Sequence, residues 1–186
     1  MSYAELNCFS NFTFLSGASQ PEEMVTRAAT LGYQALALTD ECSLTGVVRA
    51  YQAARDVGIK LIVGTTIRFT EEFTIVLLAL TRCGYGHLSE LVTQARRGAG
   101  KGEYQLSCAA LNSGVRDCAA IWLPDVRSRS GQGEWLARRF PERTWIGVKL
   151  TRDAWDAKWF NEMRSLARDT RLPLVAVGGA RMHSPY

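Results

Sequence analysis

Asp40 and Glu41 follow directly on a short apolar run, Ala35–Leu38, in the stretch ALALTDECSLTG. A carboxylate at the carboxyl end of a buried strand stands where barrel enzymes keep acid–base and metal chemistry. The competing role for Asp40 is to cap the following helix and accept turn amides. The sequence holds only two histidines, His87 and His183, which limits any mechanism built on imidazole. His87 falls in the first turn of an expected helix and reads as structural, and His183 reads as a surface residue. A dinuclear or trinuclear hydrolytic centre needs several converging His or carboxylate ligands. Asp40, Glu41 and His183 are the candidates, with Asp125 and Asp153 as outliers, and three ligands suffice for a single zinc or manganese ion at most. Arg181 would repel a cation in the same cleft. It is expected instead to pair with Asp40 or Glu41, as an internal replacement for a metal.

These residues must be positioned by an alternating pattern of elements. Short apolar runs at 6–9, 35–38, 61–63, 73–80, 118–123, 145–150 and 173–177 read as seven strands. Helices are expected after Ser19-Gln20-Pro21-Glu22, which reads as a capping box, and from Leu44 to Gly58 with Val47, Val48, Tyr51 and Ala54 on the apolar face. Further helices are expected from near Gly86, over 134–140 after a polar loop at 128–133, and from Trp155 through Leu166. The Gly-rich segment 98–112 reads as less regular, with residues 98–102 as a flexible connector. Its GAGKG lacks the order of a phosphate-binding loop and follows no strand. Strands followed by helices predict a mainly parallel sheet, open or closed into a barrel. The strand carboxyl ends would share one face and deliver Asn7, Phe9, Ser10, Asn11, Thr39 to Cys42, Gly64 to Thr66, Thr81, Arg82, Asp125, Arg127, Thr151 to Asp153, Gly178, Gly179, Arg181 and His183 to it. The sequence stops about ten residues after the last strand with no closing helix, which reads as truncation or a missing partner domain.

Composition narrows the class. The 186 residues are one domain's worth, and no apolar run approaches the ~18 residues of a membrane span. The N-terminus lacks the pattern of a secretory signal, so the expected location is the cytoplasm. Five scattered cysteines, none in a C-x-x-C pair, signal neither a disulfide framework nor a zinc ribbon, and most of them read as small buried apolar residues. The formal charge of +4 rests mostly on arginines, among them Arg96 and Arg97. Without interleaved aromatics it reads as a solvated surface, with a nucleic-acid neighbour as the alternative.

The ordered segments LNCFSNFTFLSGAS, PEEMVTRAATLGYQALALTDECSLTGVVRAYQAA, GIKLIVGTTIRF, LLALTRCGYGHLSELVTQARR and LPLVAVGGARMH resemble the start of bacterial C-family DNA polymerases, their PHP (polymerase and histidinol phosphatase) domain. TDECSL and GYGHLSELVTQARR look most like the error-prone branch, tied to damage-induced mutagenesis. The resemblance implies a distorted α/β barrel, (β/α)7 and TIM-like, spanning residues 1–186 as a single domain of a longer polymerase chain. It also implies a trinuclear metal cleft in active members. The opening His-x-His of that cleft falls here on Asn7 and Phe9, and an acidic or His position falls on Ser16. The Thr-Asp-His turn falls on Thr39, Asp40 and Glu41, and the Gly-x-Glu on Thr66. The late Asp-x-His falls on Gly179 and Arg181, and His183 matches a histidine that follows. The implied reading is a degenerate cleft with no catalytic residue in this segment and no cofactor. A residual phosphoesterase with one zinc or manganese on Asp40, Glu41 and His183 is the alternative. The implied parent extends primers across damaged template, with DNA, the sliding clamp and mutagenesis accessory proteins as partners. This segment alone should not synthesise DNA.

Overall fold

The computed structural model describes residues 3–112 and 115–184. Seven strands form one sheet in sequential order: β1 (Ala4–Cys8), β2 (Ala35–Leu38), β3 (Lys60–Phe69), β4 (Phe73–Ala79), β5 (Cys118–Trp122), β6 (Thr144–Val148) and β7 (Leu174–Ala176). Five helices of two turns or more connect them: α1 (Pro21–Thr30), α2 (Val47–Val57), α3 (Arg82–Arg97), α4 (Ser130–Arg139) and α5 (Asp156–Thr170). The sheet curls until its last residues meet its first. The Phe9 amide donates to the Ala180 carbonyl (2.8 Å) and the Ala180 amide to the Asn7 carbonyl (3.1 Å). Nearer the middle of β1 the seam is bridged by a side chain. The buried Glu5 Oε1 accepts the Gly178 and Asn7 amides, each at 2.9 Å. The result is the expected α/β barrel of seven strands, nearly closed.

One strand departs from the expected direction. β4 runs antiparallel to both β3 and β5, while the other neighbouring pairs are parallel. The cause is local: β3 continues to Phe69 and turns into β4 through residues 70–72, with Glu72 at φ 55°. Three residues can join antiparallel neighbours but cannot cross over to a parallel one. Thr81 and Arg82, expected on the functional face, therefore lie at the opposite end of the barrel. There the Thr81 hydroxyl accepts the Gly84 amide (3.1 Å) and starts α3 four residues before Gly86.

Alternation along the strands sorts the core. Val76 and Leu78 of β4 meet Ala37, Ala119, Ile121 and Val177 in one cluster, while Ile75 and Leu77 face the larger one with Trp122, Leu136, Phe140, Ile146 and Met163. Gly64 fits where β3 presses on β4, because a Cβ there would come 2.6 Å from the Leu77 carbonyl oxygen. A third cluster seats α1 and α2 on β1 and β2. In α2 the buried residues are Ala50 and Ala54, whereas Val48 and Tyr51 are exposed, so the expected apolar face is rotated. Small residues at i and i+4 give α2 a flat surface for close approach to its neighbours. In α5 Met163 is buried, but Trp155 and Phe160 face outward. The α4 helix begins at Ser130, inside the stretch expected as loop. At α1 the box is shifted by one residue, with the Gln20 amide donating to Glu23 Oε2 (2.8 Å), because Ser19 is occupied elsewhere.

Cys8, Cys42 and Cys118 are buried, and burial pushes the Cys42 thiol up to about 11 and Cys118 to about 12. They behave as the apolar filler expected of them. Among the described residues no helix is long and apolar enough to cross a membrane.

Candidate functional site

The carboxyl ends of the parallel strands and the amino end of β4 surround a cleft of about 220 Å3. β1 and the loop after it contribute Asn7, Phe9, Thr13 and Ser16, and the turn after β2 contributes Glu41. Thr66 and Arg68 come from β3, and Thr74 enters from the amino end of the reversed β4. Leu123, Lys149, Gly179 and Arg181 follow β5, β6 and β7. Sequence placed Asn7, Phe9, Ser16, Glu41, Thr66, Gly179 and Arg181 here, and they converge.

Asp40 does not line the cleft. It is 1% exposed, and its carboxylate is taken up by the loop after β1. Oδ1 accepts the Ser10 amide (2.7 Å) and the Thr13 hydroxyl (2.7 Å), and Oδ2 accepts the Ser10 hydroxyl (2.7 Å). This is the amide-accepting role weighed for it, turned toward a neighbouring loop. Thr13 passes the order on, since its oxygen accepts the Glu41 amide (3.0 Å). Asn7 is similarly committed. Its Nδ2 donates to the Thr39 and Thr66 hydroxyl oxygens, each at 3.2 Å, and Thr66 donates to the Thr39 carbonyl (2.9 Å). One side-chain amide thus stitches three strands.

Glu41 receives the Tyr104 hydroxyl on Oε1 at 2.7 Å, and the same Tyr104 oxygen accepts the Arg68 amide (3.1 Å). Burial, then the adjacent Glu41 carboxylate, raises the Tyr104 hydroxyl well above its ordinary range, so it stays a donor. Tyr104 lies in segment 98–112, which is pinned by contacts to the barrel. Arg96 donates to the Cys42 (3.2 Å), Gly102 (3.4 Å) and Glu103 (3.3 Å) carbonyls and lies 5.5 Å from the Tyr104 ring centre. Arg96 is a staple between the connector and the β2–α2 turn, which explains its place in the sequence without a nucleic-acid role. Tyr104→Phe is expected to cost about 1 kcal/mol by leaving Glu41 short of a donor. Urea denaturation checks this, and an unchanged midpoint would show that solvent replaces the bond freely.

His183 is not gathered into the cleft either. Its Nδ1 is 2.7 Å from Ser19 Oγ and 3.7 Å from Glu23 Oε2, and its amide donates to Ser19 Oγ (2.9 Å). It tethers the segment after β7 to the start of α1. Arg181 makes no ion pair with Asp40 or Glu41 among the described residues. Its guanidinium stands 5.9 Å from the Phe9 ring centre. The expected internal ion pair is therefore absent, because Asp40 is already saturated by Ser10 and Thr13 and Glu41 is turned toward Tyr104. His87 Nδ1 donates to the Arg116 carbonyl (2.9 Å), a structural role as expected. Asp125 pairs with Arg127 (3.6 Å) and accepts its amide (2.9 Å) in an exposed turn. The Thr151 hydroxyl and Trp155 amide hold the Asp153 carboxyl below the usual carboxylate range. Among the described residues no three His, Cys, Asp or Glu side chains cluster as a metal-holding group.

Sequence reasoning missed Arg68, Thr74, Tyr104 and Lys149. Arg68 could have been found by extending the two-residue alternation from Thr66 past a strand ended too early at Val63. Lys149 stood inside an expected strand rather than after it. Nothing local marks Tyr104.

Residues 5–119 match the PHP domain family. The chain belongs to the PHP domain family. Its curated relatives include error-prone DNA polymerases of Dechloromonas aromatica (50% identical over 97% of this chain), Methylococcus capsulatus (49% over 98%) and Pseudomonas aeruginosa (48% over 98%). The chain spans 18% of the length of each of these relatives. The same fold is seen in a Bifidobacterium adolescentis structure assigned as a metal-dependent phosphoesterase, with TM-score 0.72, 12% identity, and coverage of 99% of this chain and 88% of that one. A Chromobacterium violaceum amidohydrolase aligns with TM-score 0.66 at 15% identity, covering 97% and 88%. At these identities the likeness is one of fold.

Proposed function

We propose that this PHP domain is a structural scaffold of an error-prone DNA polymerase, without phosphoesterase activity of its own. Residues 1–186 would form one unit of a longer chain, with the rest of that chain as its immediate partner. The parent would extend primers by nucleotidyl transfer across damaged template in the cytoplasm. DNA, the sliding clamp and mutagenesis accessory proteins would be reached through it. Support for the parent comes from relatives of 48–50% identity that carry that name and are several times longer.

The observation that carries the scaffold reading is the donor chemistry of the cleft. A dinuclear or trinuclear metal cluster needs carboxylates and imidazoles. Here the cleft offers an amide, an aromatic ring, hydroxyls and a glycine, together with Arg68, Lys149 and Arg181. Its one carboxylate, Glu41, is bonded to Tyr104. Three cations oppose a divalent ion by direct repulsion. These residues do not fit the metal centre that the phosphoesterase branch of the fold implies. The side chains of Asp40, Glu41 and His183, the set for the residual-phosphoesterase alternative, are each engaged with different partners, Ser10 and Thr13, Tyr104, and Ser19.

The test is metal analysis of the chain purified without chelator, alongside hydrolysis of a chromogenic phosphate ester with manganese or zinc added. The expected result is a metal content far below one ion per chain and turnover at the background rate. Stoichiometric metal with chelator-sensitive turnover would establish the phosphoesterase instead.

A further inference from the structure

We propose that the carboxyl-end face of the barrel is a docking surface for the rest of the polymerase chain, and that the part seated on it is an apolar segment carrying carboxylates. The proposal rests on the reading of residues 1–186 as one unit of a longer chain, and adds which face meets the remainder. Among the described residues, the four most exposed large apolar side chains are Leu15 (107%), Phe14 (86%), Val126 (85%) and Trp155 (69%). All four stand in loops at that face, after β1, β5 and β6. Met182, beyond β7, adds a fifth that is more than half exposed. These loops also frame the cleft: Thr13 and Ser16 flank the Phe14-Leu15 pair, Leu123 precedes Val126, and Arg181 precedes Met182. Apolar side chains scattered singly over a surface need no explanation, but those gathered around one opening mark an interaction site.

The Phe14-Leu15 pair is held out on a fixed loop. Leu15 has φ 61°, a left-handed conformation that a bulky residue keeps only when its surroundings enforce it. Here the Thr13 hydroxyl is anchored on the buried Asp40 (2.7 Å), the Gly17 amide donates to the Thr13 carbonyl (2.9 Å) and the Ala18 amide to the Arg181 carbonyl (2.8 Å). An apolar anchor fixed in advance loses less entropy when a partner covers it. Beside the pair runs a groove of about 670 Å3, lined by Phe12, Phe14, Leu44 and Val92 and sharing Thr13 and Glu41 with the cleft.

Charge and chain direction select the occupant. Lys149 and Arg181 make no ion pair within 4 Å among the described residues. A partner that covers them must bring carboxylates, because a cation buried unpaired is costly. A second copy of this chain would bring like charge instead, since a two-fold contact sets one patch against itself. The segment after β7 supplies the direction. The His183 amide donates to Ser19 Oγ (2.9 Å), so polypeptide continuing from there starts on this same face. The chain spans only 18% of its curated relatives, so a body several times its size is available to cover the rim.

Hydroxyl-radical footprinting of the full-length polymerase tests this, with Leu31, Leu80 and Tyr85 at the opposite end of the barrel as internal references. Phe14, Leu15 and Trp155 are more exposed than these references on the barrel itself, so undocked they should label more strongly once intrinsic reactivity is corrected for. Docking is expected to invert that order, with several-fold less labelling at the rim. Phe14→Ser/Leu15→Ser in the full-length protein should restore labelling of Trp155 and Met182. Both replaced side chains are exposed, so the barrel should still fold, and hydrogen-exchange protection of the β4 and β5 amides checks it. If the double variant unfolds, Arg181→Glu carries the comparison by setting a carboxylate against those of the partner. A rim labelled at its undocked strength overturns the proposal. So does protection that the variants leave intact, that appears only with rising protein concentration, or that needs a separate protein. A reading frame that ends at Tyr186 removes the parent polymerase and this proposal together, whereas a full-length polymerase with an open rim rejects this proposal alone.

Discussion

Asp40→Ala is expected to destabilise the barrel by about 3 to 4 kcal/mol. The buried carboxylate accepts three donors from the loop after β1, the Ser10 amide, the Ser10 hydroxyl and the Thr13 hydroxyl, all at 2.7 Å. Each bond to a charged acceptor contributes roughly 1.5 to 3 kcal/mol when its loss strands a buried donor. The sum is not reached, because the hydroxyls can turn to other acceptors. The Ser10 amide has less freedom. The sign of the effect separates two views of Asp40. A carboxylate held for chemistry is a stability liability, and its removal is neutral or favourable. A carboxylate that orders a loop is costly to lose. Urea unfolding should show a lower midpoint at unchanged slope. A double-mutant cycle with Thr13→Val should return a coupling above about 0.5 kcal/mol. Wild-type stability in Asp40→Ala would show that the loop is held by other means.

The same residue shows how much of the cleft was legible in sequence. Strand β2 and its acidic turn are local features, and the run Ala35–Leu38 is the observed strand. The cleft positions Asn7, Phe9, Thr66, Gly179 and Arg181 follow from strand ends, so parallel-barrel logic brings them together, whereas Ser16 was placed only by the family resemblance. Where a side chain points and what saturates it are long-range facts. Asp40 is bonded to residues 27 and 30 positions away, and Glu41 to one 63 positions away. No periodicity encodes such partners. The reversal of β4 was hidden for a different reason. Gly64-Thr65-Thr66 interrupts the apolar run and resembles a turn. In fact small and polar residues face the barrel axis there while Ile67 and Phe69 face outward. A strand that alternates in this way reads as ended when it is only half finished, and the short hairpin behind it then goes unseen.

Glu5→Ala is expected to cost about 3 kcal/mol and to loosen the barrel at one place, the seam between β1 and β7. No ladder joins these two strands at that level. The Glu5 carboxylate stands in for it, accepting the Asn7 and Gly178 amides at 2.9 Å each and the Tyr3 hydroxyl at 3.1 Å. The backbone contacts of Asn7 and Phe9 with Ala180 lie further along and do not cover it. Gly178 is part of the same device, since a Cβ there would sit 2.2 Å from Glu5 Oε2. Alanine at position 5 strands the buried Asn7 amide, worth roughly 1 to 3 kcal/mol of desolvation, and frees the part-buried Gly178 amide at a smaller cost. Water entering the vacated space would recover some of it. Glutamine keeps an oxygen for the amides and can accept the Tyr3 hydroxyl less well, so Glu5→Gln should fall well short of the alanine loss. Hydrogen exchange supplies the local readout: the Gly178 amide should exchange much faster in Glu5→Ala, while β4 and β5 amides keep their protection relative to the new global stability. Uniform acceleration across the sheet would mean that the seam has no separate stability. A Glu5→Ala protein within about 0.5 kcal/mol of the parent would mean that the Asn7–Ala180 and Phe9–Ala180 bonds alone close the barrel.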